Sequence, residues 1–272
     1  MIRALYRLFR LRLALLNGVA GIGGYLLFPA KVETAPLLAT FCGVALLAAG
    51  GSALNQVLEQ DLDRLMERTR MRPLPRKDLT PQAALALGAA TILAGLAHLW
   101  LIGGLLPPFL GGLALIWYLV VYTPLKRRTC FALPIGALCG TLPPIIGWCL
   151  AGGAAADYRI VLLAGLMYLW QVPHFWLFQR RYALDYQRAG LPLLRINGPD
   201  TALSGLFALW IIALAAAAML LPALGVLERY MGLWYALLPL PLIVMLLIRS
   251  EKALFSYLNL FPLFVTLILS VQ

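Results

Sequence analysis

The chain has 272 residues, of which 62% are hydrophobic and 12% charged, with a net charge of +11 and a mean hydropathy of +0.87. A soluble globular domain carries about a quarter charged residues, so the composition excludes one and points to an integral membrane protein. The positive balance reads as membrane topology and not as a nucleic-acid surface, because the basic residues collect in the connections between apolar runs.

A spanning helix needs about 20 apolar residues. Apolar stretches fall near 11–29, 36–56, 82–101, 105–123, 130–153, 157–179, 201–222, 232–248 and 254–271. They predict an all-α polytopic membrane protein of nine transmembrane helices, a single domain over 1–272. If the spans alternate, every Lys and Arg except Lys31, Arg159 and Arg229 falls on one side. The positive-inside rule assigns that side, with the N-terminus, to the cytoplasm, or to the matrix in a mitochondrion. The opening MIRALYRLFRLRLALLNG is basic and runs into the first span without a small-residue cleavage site, which reads as a signal anchor.

The second span ends in NQVLEQDLDRLMERTRMRPLP, Asn55 to Pro75, which holds four of the 11 acidic residues: Glu59, Asp61, Asp63 and Glu67. Asn55, Glu59 and Asp63 are spaced i, i+4, i+8 and share one face of a helix. Pairing of Glu59 or Asp63 with Arg64, Arg68 or Arg70 would explain a solvated helix end. Asn55 argues for more, since its face runs back into the apolar span, where polar side chains are costly and mark function. Amide and carboxylate oxygens without His or Cys suit Mg²⁺, which binds through one or two carboxylates and the phosphates of a substrate. Arg68, Arg70 and Arg72 then serve as phosphate partners, guanidinium being a bidentate fork.

Further along, YTPLKRRT packs Lys126, Arg127 and Arg128 into the turn after the fourth span. Of the two histidines, His98 reads as a satisfied core residue within span three, whereas His174 lies in QVPHFW beside Trp170, Phe175 and Trp176. For His174 the choice is between a substrate contact and packing in an aromatic cluster. The other aromatics, Trp117, Tyr118, Tyr122 and Trp148 among them, fit either a flat acceptor or an interfacial belt. After span six, Asp185 follows Arg181 by four residues, either a surface pair or a second metal or phosphate site. The four cysteines, Cys42, Cys130, Cys139 and Cys149, lack C-x-x-C spacing and read as buried filler.

Four segments, the Asn55–Pro75 run, YTPLKRRT, GTLPPIIGW and HFWLFQRRYALDYQRAGLPLL, together resemble the UbiA superfamily of intramembrane prenyltransferases. The M-x-R-T-x-x-R-P-L continuation, with LKRRT, PPIIGW and HFW, resembles its haem branch, the protohaem IX farnesyltransferases. The resemblance spans nearly the whole chain and implies nine helices around a central cavity. It implies transfer of a farnesyl group from farnesyl diphosphate to the 2-vinyl group of haem B (protoheme), giving haem O (heme O), with Mg²⁺ as cofactor and haem B as substrate.

On this resemblance Asn55, Glu59, Asp63 and Asp185 are the metal and catalytic positions. Arg68, Arg72, Lys126, Arg127 and Arg181 face the diphosphate, and His174 is a possible haem contact. It also implies the lipid bilayer as partner, a downstream haem-modifying enzyme, and a cytoplasmic (inner) membrane location. Glu59 stands where many members have Asp, the second motif offers one strong acid, and Arg195 stands where proline is common in the branch. Two rivals remain: a UbiA-type enzyme with an aromatic acceptor of the quinone pathway, and a transporter. Transporters place their sites near the midplane on broken helices, whereas these acids gather at one end.

Overall fold

The computed structural model describes residues 1–194, 205–227 and 229–271, with side chains described outside 229–231; Arg195 lies outside the described residues. Among the described residues every regular element is helical. Helices α1 (Ile2–Leu8) and α2 (Leu11–Leu26) lead into α3 (Thr34–Leu58) and the short α4 (Gln60–Leu65). Then come α5 (Pro81–Gly103) and α6 (Leu106–Ile116), which continues through a π turn at Trp117–Tyr122 into α7 (Thr123–Leu125). A 3-10 turn joins α8 (Ala132–Ala137) to α9 (Leu142–Leu150), and α10 (Tyr158–Arg181) is followed by the short α11 (Ala183–Arg188). The chain closes with α12 (Gly205–Ala223), α13 (Arg229–Ala236), α14 (Pro239–Leu247) and α15 (Glu251–Leu269).

Among the described residues, seven segments are long and apolar enough to cross a membrane: α3, α5, Leu106–Leu125, Ala132–Leu150, α10, α12 and α15. Two shorter apolar segments, α2 and Gly232–Leu247, complete the series. The nine stretches read from the sequence therefore correspond to seven full-length segments and two short ones.

Helices α3 and α10 are central, with 56% of their apolar windows buried against 17% for α5 and Leu106–Leu125. The outer helices turn Leu101, Phe109 and Val120 outward, as a lipid-facing surface requires. Where α2 crosses α9 the backbones touch: a side chain on Gly24 would overlap Pro144, and one on Gly147 would overlap the backbone of Gly21. Small residues at such crossings allow the van der Waals packing that associates helices in lipid.

Four local expectations change. The acidic run is not one helix: α3 stops at Leu58, Glu59 leaves the helical region (φ −119°, ψ 16°), and α4 restarts at Gln60. The backbone bonds Glu59 N to Asn55 O (3.0 Å) and Asp63 N to Glu59 O (2.9 Å) survive the break, so the three residues keep a common side. His98 is not satisfied, since its buried Nε2 has no partner. The cysteines are free as expected, but Cys42 is exposed and the other three only partly buried. Trp148 and Trp176 are core residues, and Trp117, Trp148 and Trp170 spend their indole N–H groups on the carbonyls of Ile135, Ala154 and Leu258.

Candidate active site

The buried polar side chains of this apolar bundle concentrate at the end where α3 and α10 give way to α4 and α11. Asn55, Glu59, Asp63 and Asp185 are 4%, 2%, 0% and 7% exposed. Buried polar groups in a low-dielectric interior need partners; those of Asn55, Glu59 and Asp185 come from distant parts of the chain, and that of Asp63 from the loop that follows α4.

Asn55 Nδ2 donates to Thr123 Oγ1 at 3.1 Å. Thr123 is buried at the end of the π turn, and its hydroxyl donates to Tyr118 O at 2.8 Å. A π turn widens the helix and is a frequent marker of function; here it stacks Tyr118 on Tyr122 (5.9 Å, 15°) and brings Thr123 to Asn55. The sequence reading missed Thr123. The apolar composition of WYLVVYTP hides the π turn, and only the threonine ahead of PLKRRT hints at a polar group there.

Lys126 Nζ sits against both oxygens of the buried Glu59 carboxylate, 2.5 Å from Oε1 and donating to Oε2 at 2.6 Å. The Lys126 pKa is lowered by burial, which its contact with Glu59 opposes. Both Asp63 oxygens accept from Arg72 Nη1, at 2.8 and 2.7 Å. Thr69 Oγ1 donates to the Asp63 backbone oxygen at 3.0 Å and so fixes the R-T segment of the loop. Removing one partner of such a buried pair costs about 3–5 kcal/mol, because it strands the other charge. The pairs expected with Arg64, Arg68 and Arg70 do not form at Glu59 or Asp63; Arg70 pairs with exposed Glu67 instead.

Asp185 joins the two acid-bearing loops. Its Oδ1 accepts from the backbone N–H of Glu67 (3.0 Å) and its Oδ2 from that of Arg68 (3.1 Å). Burial raises its pKa, but these two donors with Arg188 and Arg68 outweigh it, and the carboxyl sits below its usual range. The surface pair with Arg181 is absent, because Tyr182 leaves the helical region (φ −112°, ψ 28°) between α10 and α11. Leu62, Met66 and Leu191, with Tyr186 and Ala189, pack the same junction from the apolar side.

The predicted basic residues separate into groups. Lys126 and Arg72 hold the buried carboxylates. Arg68 lies over the rings of Phe178 (5.0 Å) and Tyr182 (5.4 Å), with its buried Nε unpartnered. Burial lowers its pKa, and nearby Arg72 adds to the effect. Arg127 forks onto Asp61 (2.8 and 2.9 Å) and Leu58 O (3.0 Å) at the surface, holding the Asp61 carboxyl below its usual range. Arg181 lies over Phe255 at 5.5 Å, on the α15 side. His174 stacks with Trp170 (5.1 Å, 22°) and with Phe255 (5.7 Å, 9°), and its buried Nδ1 has no partner among the described residues.

Among the described residues no three His, Cys, Asp or Glu side chains form a metal cage. The donors present are oxygens: Oδ1 of Asn55, whose amide nitrogen is taken by Thr123, and the Glu59 and Asp63 carboxylates. That set fits Mg²⁺ in the mode where substrate phosphate oxygens and water complete the shell.

The model of the UbiA prenyltransferase family matches residues 17–265. A protoheme IX farnesyltransferase of Geobacter sulfurreducens is 60% identical over 255 residues, 94% of each chain. One from Oleidesulfovibrio alaskensis is 40% identical over 222 residues, 82% of this chain and 78% of the relative. Among solved structures, a UbiA homologue from Aeropyrum pernix K1 superposes with a TM-score of 0.73 at 24% identity, covering 96% of this chain and 97% of the homologue. A homologue from Archaeoglobus fulgidus bound to GPP and Mg²⁺ gives 0.69 at 13% identity, over 98% of each chain. The chain therefore belongs to the UbiA prenyltransferase family.

Proposed function

We propose that this protein transfers a farnesyl group from farnesyl diphosphate to the 2-vinyl group of haem B, giving haem O. The observation that carries this reading is the 60% identity, over 94% of both chains, to a relative named protoheme IX farnesyltransferase. The buried set of carboxylates and cations at one end of the bundle supports it, because a lipid diphosphate presents an apolar tail to the membrane interior and a dense anion to its rim.

In the proposed reaction the bond between farnesyl C1 and oxygen breaks, and diphosphate leaves with the electron pair. The terminal vinyl carbon of haem B bonds to C1, and water captures the resulting cation at the carbon next to the porphyrin ring. Loss of a proton to solvent gives the hydroxyethylfarnesyl group. No strong base is needed, since the vinyl carbon that attacks loses no proton.

Asn55, Glu59, Asp63 and Asp185 are the proposed metal and catalytic positions. Glu59 and Asp63 supply anionic oxygens whose charge Lys126 and Arg72 balance before substrate arrives. Asp185 holds the backbone of Arg68 in place. Arg68 meets the leaving diphosphate, and Lys126 and Arg72 share its charge; Arg127 and Arg181 shape the positive rim around them. Mg²⁺, when bound at these oxygens, supplies Lewis-acid stabilisation of the leaving group. The apolar bundle shields the allylic cation from early capture by water. His174, stacked with Trp170 and Phe255 and with its Nδ1 unpartnered, is the proposed imidazole contact to the porphyrin.

The excess of Lys and Arg at this end supports the reading that it faces the cytoplasm from an inner membrane. The product passes to a downstream haem-modifying enzyme. The test supplies purified protein with Mg²⁺, labelled farnesyl diphosphate, and either haem B or 4-hydroxybenzoate. Label in a haem product is expected; transfer to the phenol alone would overturn the assignment.

A further inference from the structure

We infer that Arg10, at the break between α1 and α2, is a further binding residue of this site and takes the anionic head of the prenyl diphosphate together with Arg68. The inference rests on the diphosphate reading above but adds a residue from a third part of the chain.

Arg10 adopts φ 46° and ψ 52°, the left-handed region, which is costly for a residue with a Cβ and persists only where the surroundings hold it. The surroundings do hold it. Gln56, fully buried and next in sequence to Asn55, donates to Leu8 O (2.6 Å) and Arg7 O (3.2 Å). Leu8 is fully buried with Ala53, Leu74 and Ala84, and Arg7 Nη1 donates to Met71 O at 2.8 Å. The break is thus fastened both to α3 beside the acidic run and to the loop that carries Arg68 and Arg72.

The partly buried Arg10 side chain makes no hydrogen bond and no ion pair among the described residues. Burial lowers its pKa, and the groups that act on it electrostatically are Tyr118, Arg72, Arg68 and Asp63. Asp63 is already committed to Arg72, Glu59 to Lys126 and Asp61 to Arg127. Arg10 and Arg68 are therefore two partly buried guanidinium groups, the first on a break tied to α3 and to the loop that carries the second, and neither has a carboxylate of its own. Such an arrangement is unfavourable unless an anion meets both, and phosphate oxygens suit the bidentate fork.

The test measures binding of inorganic diphosphate with Mg²⁺ to the full-length protein in detergent, for wild type, Arg10→Gln, Arg10→Gly and Arg10→Lys. Arg12→Gln is the control, since Arg12 is exposed and bonded to Tyr6. Glycine relieves the left-handed backbone, so Arg10→Gly keeps or raises the melting temperature while losing the guanidinium. Arg10→Gln and Arg10→Gly are expected to weaken diphosphate binding about tenfold to a hundredfold, the scale of a hydrogen bond to a charged group. Arg10→Lys is expected to fall between them and wild type, and Arg12→Gln to match wild type.

Folded Arg10→Gln and Arg10→Gly proteins with wild-type diphosphate affinity would overturn the inference. Loss of haem B binding with diphosphate binding intact would also overturn it, the anion then being a porphyrin propionate. Haem B turnover is assayed in parallel to separate the two readings. If wild type makes no haem O while Arg10→Gln loses diphosphate affinity, Arg10 stands and the haem assignment fails. If haem O is made and Arg10→Gln binds diphosphate normally, only Arg10 fails. A wild type that binds no diphosphate overturns both.

Discussion

The two ends of the bundle use the same chemical pair, aspartate with arginine, to different effect. At the polar end Asp63 and Arg72 meet with the carboxylate 1% exposed and the guanidinium 14% exposed. They belong to a set whose other members, Lys126 and Asn55, bond to groups 67 and 68 residues away in sequence. At the opposite end Asp157 and Arg159 are two residues apart and partly exposed; Asp157 caps α10 through the Arg159 N–H and pairs with the Arg159 guanidinium. One pair closes a helix locally. The other gathers several segments around a desolvated patch of charge, which is what an anionic substrate at a membrane rim requires.

The largest test of this contrast is Asp63→Ala beside Asp157→Ala. Asp63→Ala strands a buried guanidinium, so a loss of about 3–5 kcal/mol is expected in thermal or denaturant melts. Turnover is expected to fall about a hundredfold to a thousandfold, as when one charge-stabilising group is removed from a site. Asp157→Ala is expected to leave turnover unchanged. Equal loss of turnover from both would erase the distinction between a site and a cap.

Next in size is Glu59→Gln, which leaves the Lys126 ammonium buried beside a neutral amide. A stability loss of about 2–3 kcal/mol is expected, because an unpaired buried ion carries its desolvation cost. The double change Glu59→Gln, Lys126→Met restores much of that stability and none of the activity. A double variant that recovers turnover would show that the pair is structural.

Smaller still is Asp185→Asn. The amide accepts one of the two N–H bonds from Glu67 and Arg68 and repels the other, for about 1–2 kcal/mol. The readout that separates positioning from bulk stability is hydrogen exchange at those two amides, expected to speed up while the α3 core stays protected. Unchanged exchange there would remove Asp185 from its role as the clasp between loops.

The smallest effect is in the pH dependence at the cap. Arg159 holds the Asp157 carboxyl at about 2, below its ordinary value. A carboxyl depressed on folding contributes stability that is present above its unfolded pKa and lost as pH falls through the folded one. Wild type is therefore expected to be more stable than Asp157→Ala above pH ~4, with the difference shrinking toward about pH 2. A difference that grows in that window contradicts the cap.

The architecture was legible in the sequence because apolar run length alone carries it: the positions of α3, α5, α10, α12 and α15 follow from about 20-residue stretches. Spacing likewise placed Asn55, Glu59 and Asp63 on one side. It did not show the break at Glu59, since Leu58–Gln60 contains neither Gly nor Pro to signal a stop. Nor could spacing show which cation meets which acid. Arg72 and Lys126 reach Asp63 and Glu59 through tertiary packing, while Arg64, much closer in sequence, does not. Thr123 and Arg10 escaped for a related reason, because a π turn and a left-handed residue have no strong residue signature outside glycine.

The most direct measurement is chromatography and mass spectrometry of haem extracted from membranes carrying wild type or Asp63→Ala, supplied with haem B, farnesyl diphosphate and Mg²⁺. Haem O from wild type and none from a folded, membrane-inserted Asp63→Ala is the expected result. Haem O from both, or diphosphate release by wild type with another acceptor and no haem O, would contradict the account.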